Sequence, residues 1–223
     1  MIRFDNVRKR YPGGHEALSG VSFNLEDGEL AFLTGHSGAG KSTLLKLIAI
    51  IERPTTGTIL VGKRNLAGLS RREIPKHRRH IGFIFQSPTL LFDRDVFHNV
   101  ALPLLVSGYH PRDTQRRVRA ALDQVGLLKR EHSNPITLSG GEQQRLGIAR
   151  AIVGKPTVLL ADEPTGNLDP DLSREIMDLF RRLNQVGVTM LIATHDLALI
   201  RTLPYRQIKL SAGRIVSGEL SAV

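Results

Sequence analysis

Gly35-His36-Ser37-Gly38-Ala39-Gly40-Lys41-Ser42 fits the spacing G-x-x-x-x-G-K-[ST], a pattern that fits a phosphate cradle. The glycines let the backbone turn tightly, so that successive N–H groups point at one anion. A helix opening at Lys41 adds its positive N-terminal end. Lys41 supplies a point charge for the β and γ phosphates of a nucleoside triphosphate, the Ser42 hydroxyl is a ligand for Mg²⁺, and the phosphate-binding stretch runs from Gly35 to Thr43. A glycine-rich strand-to-helix turn with no ligand is the plainer reading, and the predicted strand before the loop and helix after it argue against it. Kinases and GTPases share such loops, so the loop alone does not identify a reaction.

Two further stretches carry chemistry. Leu138-Ser139-Gly140-Gly141-Glu142-Gln143-Gln144-Arg145 offers a hydroxyl donor at Ser139, open backbone N–H groups at Gly140 and Gly141, and a helix start behind them, which together make a second anion site. The competing reading is a helix cap, with Ser139 and Glu142 forming a capping box. Thr157-Val158-Leu159-Leu160-Ala161-Asp162-Glu163-Pro164 is an apolar strand ending in two carboxylates. Delivered beside the phosphate loop, Asp162 can hold Mg²⁺ through water, and Glu163 can orient or deprotonate an attacking water. A salt-bridged strand end is the plainer alternative there.

Elements must bring these residues together. Ile2–Val7 alternates as a strand, as does Val21–Leu25, and Gly28–Leu33 follows an Asp27-Gly28 turn signal. An apolar helix begins near Lys41. Thr58–Val61 and Ile81–Phe85 read as short strands. From about Pro88 to Lys155, Leu, Ala, Arg and Gln dominate, with helical spacing in Thr114–Val125, and this stretch is expected to form a helical lobe. Strand character returns at Thr157–Ala161. An amphipathic helix at Asp171–Val186, a strand at Val188–Ala193 and a helix at Asp196–Thr202 follow. A hairpin closes the chain, with strands at Ile208–Leu210 and Arg214–Val216 about Ala212-Gly213. Strands alternating with helices imply an α/β fold with a parallel sheet.

Composition sets outer limits. The 223 residues contain no cysteine, which excludes disulfides and zinc–thiolate sites. Net charge is +10, a surplus that suits nucleic acid, an anionic membrane face or a merely solvated surface. Aromatics are 5% and tryptophan is absent, which speaks against base stacking. MIRFDNVRKRY has no apolar leader core, and no apolar run is long enough for a bilayer span, so a soluble chain is expected, any membrane role coming through a partner.

The phosphate loop, the Leu138–Arg145 stretch and the Asp162-Glu163 strand end, in this order, resemble the ATP-binding cassette ATPases over nearly the full length. The resemblance implies a P-loop NTPase (RecA-like) core with a small antiparallel β-subdomain and a helical subdomain at roughly 88–155, the whole of 1–223 being one cassette. It implies Mg-dependent ATP hydrolysis at composite sites in a homodimer. There Ser139, Gly140, Gly141, Gln143 and Asp169, the last in Gly166-Asn167-Leu168-Asp169, act across the dimer. It implies that Gln86 senses γ-phosphate and Mg²⁺, that His195 is a switch histidine beside the γ-phosphate, and that Tyr11 stacks on adenine.

Thr34–Leu47, Glu52-Arg53-Pro54, Arg78–Gly82 and Asn99–Leu104, with His36, Lys46 and Asp93-Arg94, are similar to the bacterial cell-division branch of that family. For that branch the implied partner is an integral membrane protein of the FtsX type, docked in a groove near Gln86 to Leu105. The implied location is the cytoplasmic face of the inner membrane at the division site, where ATP turnover regulates peptidoglycan hydrolysis. Lipoprotein-release or macrolide-type export is the alternative, and a soluble cassette acting on nucleic acid is more remote. One residue departs from the pattern: relatives often carry Gly where Ile50 stands, so a different exit path from the first helix is expected.

Overall fold

The computed structural model describes residues 1–166, 168–201 and 203–220. Asn167 of the expected interface loop and Thr202 of the expected last helix lie outside the described residues. Three five-residue strands form the centre: β3 (Leu30–Thr34), β7 (Val158–Asp162) and β8 (Thr189–Ala193), every residue of them buried. Continuous apolar runs of this kind belong to parallel sheets covered on both faces.

The alternation of side chains decides what each face meets. Leu30, Phe32, Leu159, Ala161, Met190 and Ile192 enter one core, with Leu146 and Ile148 of α5 (Gly140–Ile152) and Ile176 and Phe180 of α6 (Pro170–Gln185). Ala31, Leu33, Val158, Leu160, Leu191 and Ala193 enter the other, with Leu44, Leu45 and Ile48 of α1 (Lys41–Ile48).

With β6 (Ile81–Ile84), β9 (Arg206–Ser211) and β10 (Arg214–Leu220), these strands make a six-stranded sheet of order β10-β9-β3-β8-β7-β6. All its pairings are parallel except the closing β9–β10 hairpin. A second, antiparallel sheet of order β2-β1-β4-β5 is built from β1 (Ile2–Arg10), β2 (Glu16–Leu25), β4 (Thr56–Val61) and β5 (Arg64–Asn65). α2 (Ile74–Arg78) follows it. α3 (Val96–Val106) and α4 (Pro111–Gln124) precede α5, and α7 (Leu197–Arg201) lies between β8 and β9. Among the described residues no helix is long and apolar enough to cross a membrane.

The boundaries move where pairing or backbone geometry outweighs local pattern. β1 continues to Arg10 because Lys9 and Arg10 pair with Leu18 and Glu16. β3 starts at Leu30 rather than Gly28, since Gly28 takes φ 75° in the turn and donates its N–H to Thr189 Oγ1. The exit from α1 corrects an expectation: Ile50 itself adopts the left-handed conformation, at φ 52°, that a glycine favours. Its side chain is 5% exposed and packs in the α1 core, so burial holds a β-branched residue in a backbone well that costs roughly 1–2 kcal/mol.

Candidate active site

The C-terminal ends of β3, β7 and β8 stand side by side, and the loops leaving them converge as in other open parallel sheets. Gly35–Gly40 leaves β3. Two of its glycines are required by close approach. A Cβ on Gly35 would lie 2.2 Å from the Leu210 carbonyl oxygen, and one on Gly40, where φ is 104°, would lie 2.5 Å from that of Ala17.

Gly40 is also the N-cap of α1, and it makes no side-chain cap. The other described helices of eight residues or more, α3, α4, α5 and α6, are capped by Asp95, His110, Ser139 and Asp169. The positive end of α1 is thus left open toward the loop, which suits an anion. His36, Ser37 and Gly38 are exposed at the loop's crest, while Ala39 is buried beneath it.

Lys41 folds back under this loop. Its Nζ donates to the carbonyls of Gly35 at 2.7 Å and His36 at 3.2 Å, and lies 3.7 Å from Oε1 of Glu163, both side chains being buried. The Ser42 side chain lies close enough to the Asp162 carboxyl to pull its pKa down. Burial holds the Asp162 carboxyl above its usual range, against the pull of Ser42 and of the Lys41 charge, and the neighbouring Glu163 adds to the rise. Oδ1 of Asp162 is buried with no hydrogen-bond partner.

That orphaned oxygen, the Ser42 hydroxyl and the Gln86 amide are all hard oxygen donors, so the residues present fit Mg²⁺. Among the described residues no group of three or more His, Cys, Asp or Glu could hold a metal. An ion here would therefore take few ligands from the protein, as Mg²⁺ does when it shares phosphate oxygens. Gln86 is exposed, two residues beyond β6, whose Ile84 pairs with Ala161.

Glu163 has φ 50°, an uncommon conformation for a non-glycine residue of the kind that collects at working sites. Its N–H donates to Ala193 O at 2.9 Å, and its carbonyl accepts from Gly166 N at 3.3 Å. These bonds aim the carboxylate across the sheet end to His195, whose Nδ1 lies 2.9 Å from Oε1 and whose backbone N–H donates to Oε2 at 3.3 Å. The imidazole side chain remains 68% exposed, so it can meet a ligand from outside. Tyr11 reaches the start of α1, its hydroxyl 3.3 Å from Thr43 Oγ1, with the Lys9 ammonium 4.8 Å from its ring centre.

The structure therefore assembles Lys41, Ser42, Asp162, Glu163 and His195, with Tyr11 at the rim. Ser139, Gly140, Gly141, Gln143 and Asp169 make no hydrogen bond or ion pair with that group among the described residues. Ser139 caps α5 in a full capping box with Glu142. Its Oγ accepts from Glu142 N. The Ser139 N–H in turn holds the Glu142 carboxyl below its usual range. The amide of Gln143 donates to Pro135 O and Leu138 O, and Asp169 caps α6 through the N–H groups of Asp171 and Leu172.

One residue escaped sequence reasoning. Gln144, 2% exposed, donates from Nε2 to Pro164 O at 3.1 Å, tying α5 to the turn that follows Glu163. No spacing signal marks it, because its role depends on burial.

The profile of the ABC transporter family matches residues 18–166. The cell division ATP-binding protein FtsE of Escherichia coli K12 is 58% identical over 218 residues, covering 98% of either chain. That of Bacillus subtilis is 46% identical, over 98% of this chain and 96% of the relative. Among solved structures, an ATP-binding cassette, MJ0796, captured as a dimer in a post-hydrolysis state with ADP and Pi, superposes with a TM-score of 0.93 at 34% identity, over 100% of both chains.

Proposed function

Since the chain belongs to the ABC transporter family of ATPases, we propose that it is the ATP-hydrolysing subunit of a cell-division membrane complex, working as a homodimer that closes on two ATP molecules. The observation that carries the catalytic part is the group at the strand ends: buried Glu163 lies 3.7 Å from buried Lys41 and 2.9 Å from the exposed His195 ring, with buried Asp162 beside Ser42.

Lys41 and the N–H groups of Gly35–Thr43 bind the β and γ phosphates, and Tyr11 packs on the adenine. Ser42, Asp162 and Gln86 hold Mg²⁺, which when bound offsets the phosphate charge. Glu163 orients a water and takes its proton as the water oxygen bonds to the γ phosphorus. The bond from that phosphorus to the β–γ bridging oxygen breaks, leaving ADP and phosphate. His195 holds the Glu163 carboxylate and hydrogen-bonds the γ-phosphate from its exposed side. Ser139, Gly140, Gly141 and Gln143 meet the γ-phosphate held by the other protomer, and Asp169 lines the same interface. Support for this comes from the likeness to a cassette captured as a dimer.

The cell-division role and its membrane partner rest on the identity to the FtsE proteins. An FtsX-type membrane protein would dock between Gln86 and Leu105, where Leu91, Phe92, Leu102 and Leu105 are exposed apolar residues. The chain would then sit on the cytoplasmic face of the inner membrane at the division site. The test is co-expression with a candidate FtsX and purification from detergent-solubilised membranes. A complex that is lost in Phe92→Glu and Leu105→Glu while ATP binding persists supports the reading. Unchanged co-purification of both variants refutes the groove, and no complex with the parent chain refutes the partner.

A further inference from the structure

Residues 63–80 carry seven Lys and Arg against one acid, Glu73, a net of +6 in a chain whose total is +10. All seven side chains, Lys63, Arg64, Arg71, Arg72, Lys76, Arg78 and Arg79, are exposed. None of them forms an ion pair among the described residues. Elsewhere some of the surface cations are matched in place, while Arg112, Lys129, Lys155 and Arg182 are exposed singly or in pairs. Arg116 pairs with Asp113 at 3.2 Å, Arg119 with Glu131 at 3.0 Å, Arg174 with Asp171 at 2.7 Å and Arg181 with Asp178 at 3.0 Å. The +10 is nonetheless not spread evenly: +6 of it falls on this one segment of 18 residues.

The segment is anchored. Leu66 and Leu69 are buried, and His77 is buried with its Nε2 2.8 Å from Ile48 O. Arg78 donates to Ala49 O and Ile50 O at the end of α1, and Arg53 donates to Leu69 O. The charges are close enough to act together: Arg64 and Lys76 both lower the Glu73 carboxyl, after its bonds to Ser70, and Arg64 and Arg78 both depress His77, after burial.

We propose that this face docks on anionic phospholipid headgroups. Three features favour a lipid surface over nucleic acid. Residues 63–80 include no Phe, Tyr or Trp to stack on bases. α2 has five residues, too few to lie along a major groove as a recognition helix does. And Ile51, next to the Ile50 carbonyl that Arg78 grips, is 43% exposed, an apolar contact beside the charges that suits the boundary between headgroups and acyl chains. This goes beyond the function proposed above and needs neither the dimer nor the membrane partner.

The test is co-sedimentation of the purified full chain, alone, with vesicles of phosphatidylcholine and with vesicles containing about one-third phosphatidylglycerol, at about 0.1 M salt. The chain should bind only the anionic vesicles. Each basic residue near such a surface is worth about fivefold, so Arg71→Glu, Arg72→Glu and Lys76→Glu together should weaken binding by about 100-fold or more. ATP turnover should stay at the parental level. The matched triple Arg116→Glu, Arg181→Glu and Arg182→Glu should stay within about threefold. Should the first triple not fold, Arg71→Gln with Arg79→Gln takes its place, with about a 25-fold loss expected and no loss overturning the proposal. Absence of binding to the anionic vesicles, equal losses in the two triples, or tighter binding to a short DNA duplex than to the vesicles would each overturn it.

Discussion

Nδ1 of His195 lies 2.9 Å from Oε1 of Glu163, and the backbone N–H of the same histidine donates to Oε2 at 3.3 Å. One residue at the end of β8 thus sets the carboxylate at the end of β7, and the left-handed backbone of Glu163 is what lets the side chain lie across the sheet end. Glu163→Gln keeps the shape but gives up the proton acceptor. Turnover should fall by about 10²- to 10⁴-fold, while ATP affinity changes only a few-fold, because Lys41 loses the Glu163 charge but keeps its bonds to the carbonyls of Gly35 and His36. An ATP-dependent dimer should appear on size exclusion. Hydrolysis at the parental rate would show that Glu163 is not the base.

Asp162 poses a different problem, a carboxylate buried with Oδ1 unpartnered. A buried charge without a full set of partners is a cost to the nucleotide-free fold. Asp162→Asn keeps an acceptor for Ser42 and removes the charge, so the nucleotide-free variant should melt higher by about 2–4 °C for each kcal/mol relieved. In the parent, ATP with Mg²⁺ should raise the melting temperature more than ATP alone, and in the variant the two increments should coincide. A Mg²⁺-dependent increment of parental size in the variant would remove Asp162 from the ion's ligands.

What was legible in the chain was whatever local pattern controls. The apolar runs of β3, β7 and β8 read as buried strands because both faces of each are covered. The phosphate loop was legible because glycine is the residue that tolerates the approach of Leu210 O and Ala17 O. The left-handed backbones of Ile50 and Glu163 were not legible, since neither residue type favours that conformation and only tertiary contacts hold it. α2 was missed as well. It is five residues long and mostly exposed, with too little apolar periodicity to register, and it is kept in place by His77 and Arg78 bonding to the end of α1.

His77 gives the fold a pH dependence of calculable sign. Ile48 O can only accept, so Nε2 carries the proton of a neutral ring, and burial lowers the pKa below 6.5. Between that lowered value and 6.5 the unfolded chain binds more protons than the folded one, so stability rises with pH there. The contribution is present above pH 6.5 and is lost as pH falls through the unfolded value toward the folded one. Melting temperature should therefore drop on acidification from about pH 7 to 5, and less steeply in His77→Gln, whose amide can donate to Ile48 O without titrating. Parallel curves for the two proteins would show that His77 protonation is not responsible.

Gln144 tests whether the turn after Glu163 is held for catalysis or only for stability. Its Nε2 donates to Pro164 O at 3.1 Å, while its Oε1 is buried without a partner. Gln144→Leu frees the Pro164 carbonyl but also removes the orphaned Oε1. Each unsatisfied group costs about 1–3 kcal/mol, so the two changes offset and stability should move by about 1 kcal/mol or less. Gln144→Glu sets a carboxylate against the Pro164 carbonyl and should destabilise by about 3 kcal/mol or more. Activity separates the roles. Without the bond to Pro164, the strained Glu163 backbone loses its only side-chain tether to α5 among the described hydrogen bonds. In Gln144→Leu, kcat should fall about tenfold, as misplacement of a reacting group by a fraction of an ångström can produce, with KM for ATP within about twofold. A folded Gln144→Leu protein with parental kcat would make Gln144 a packing residue and leave the φ of Glu163 to be held by Ala193 O and Gly166 N alone.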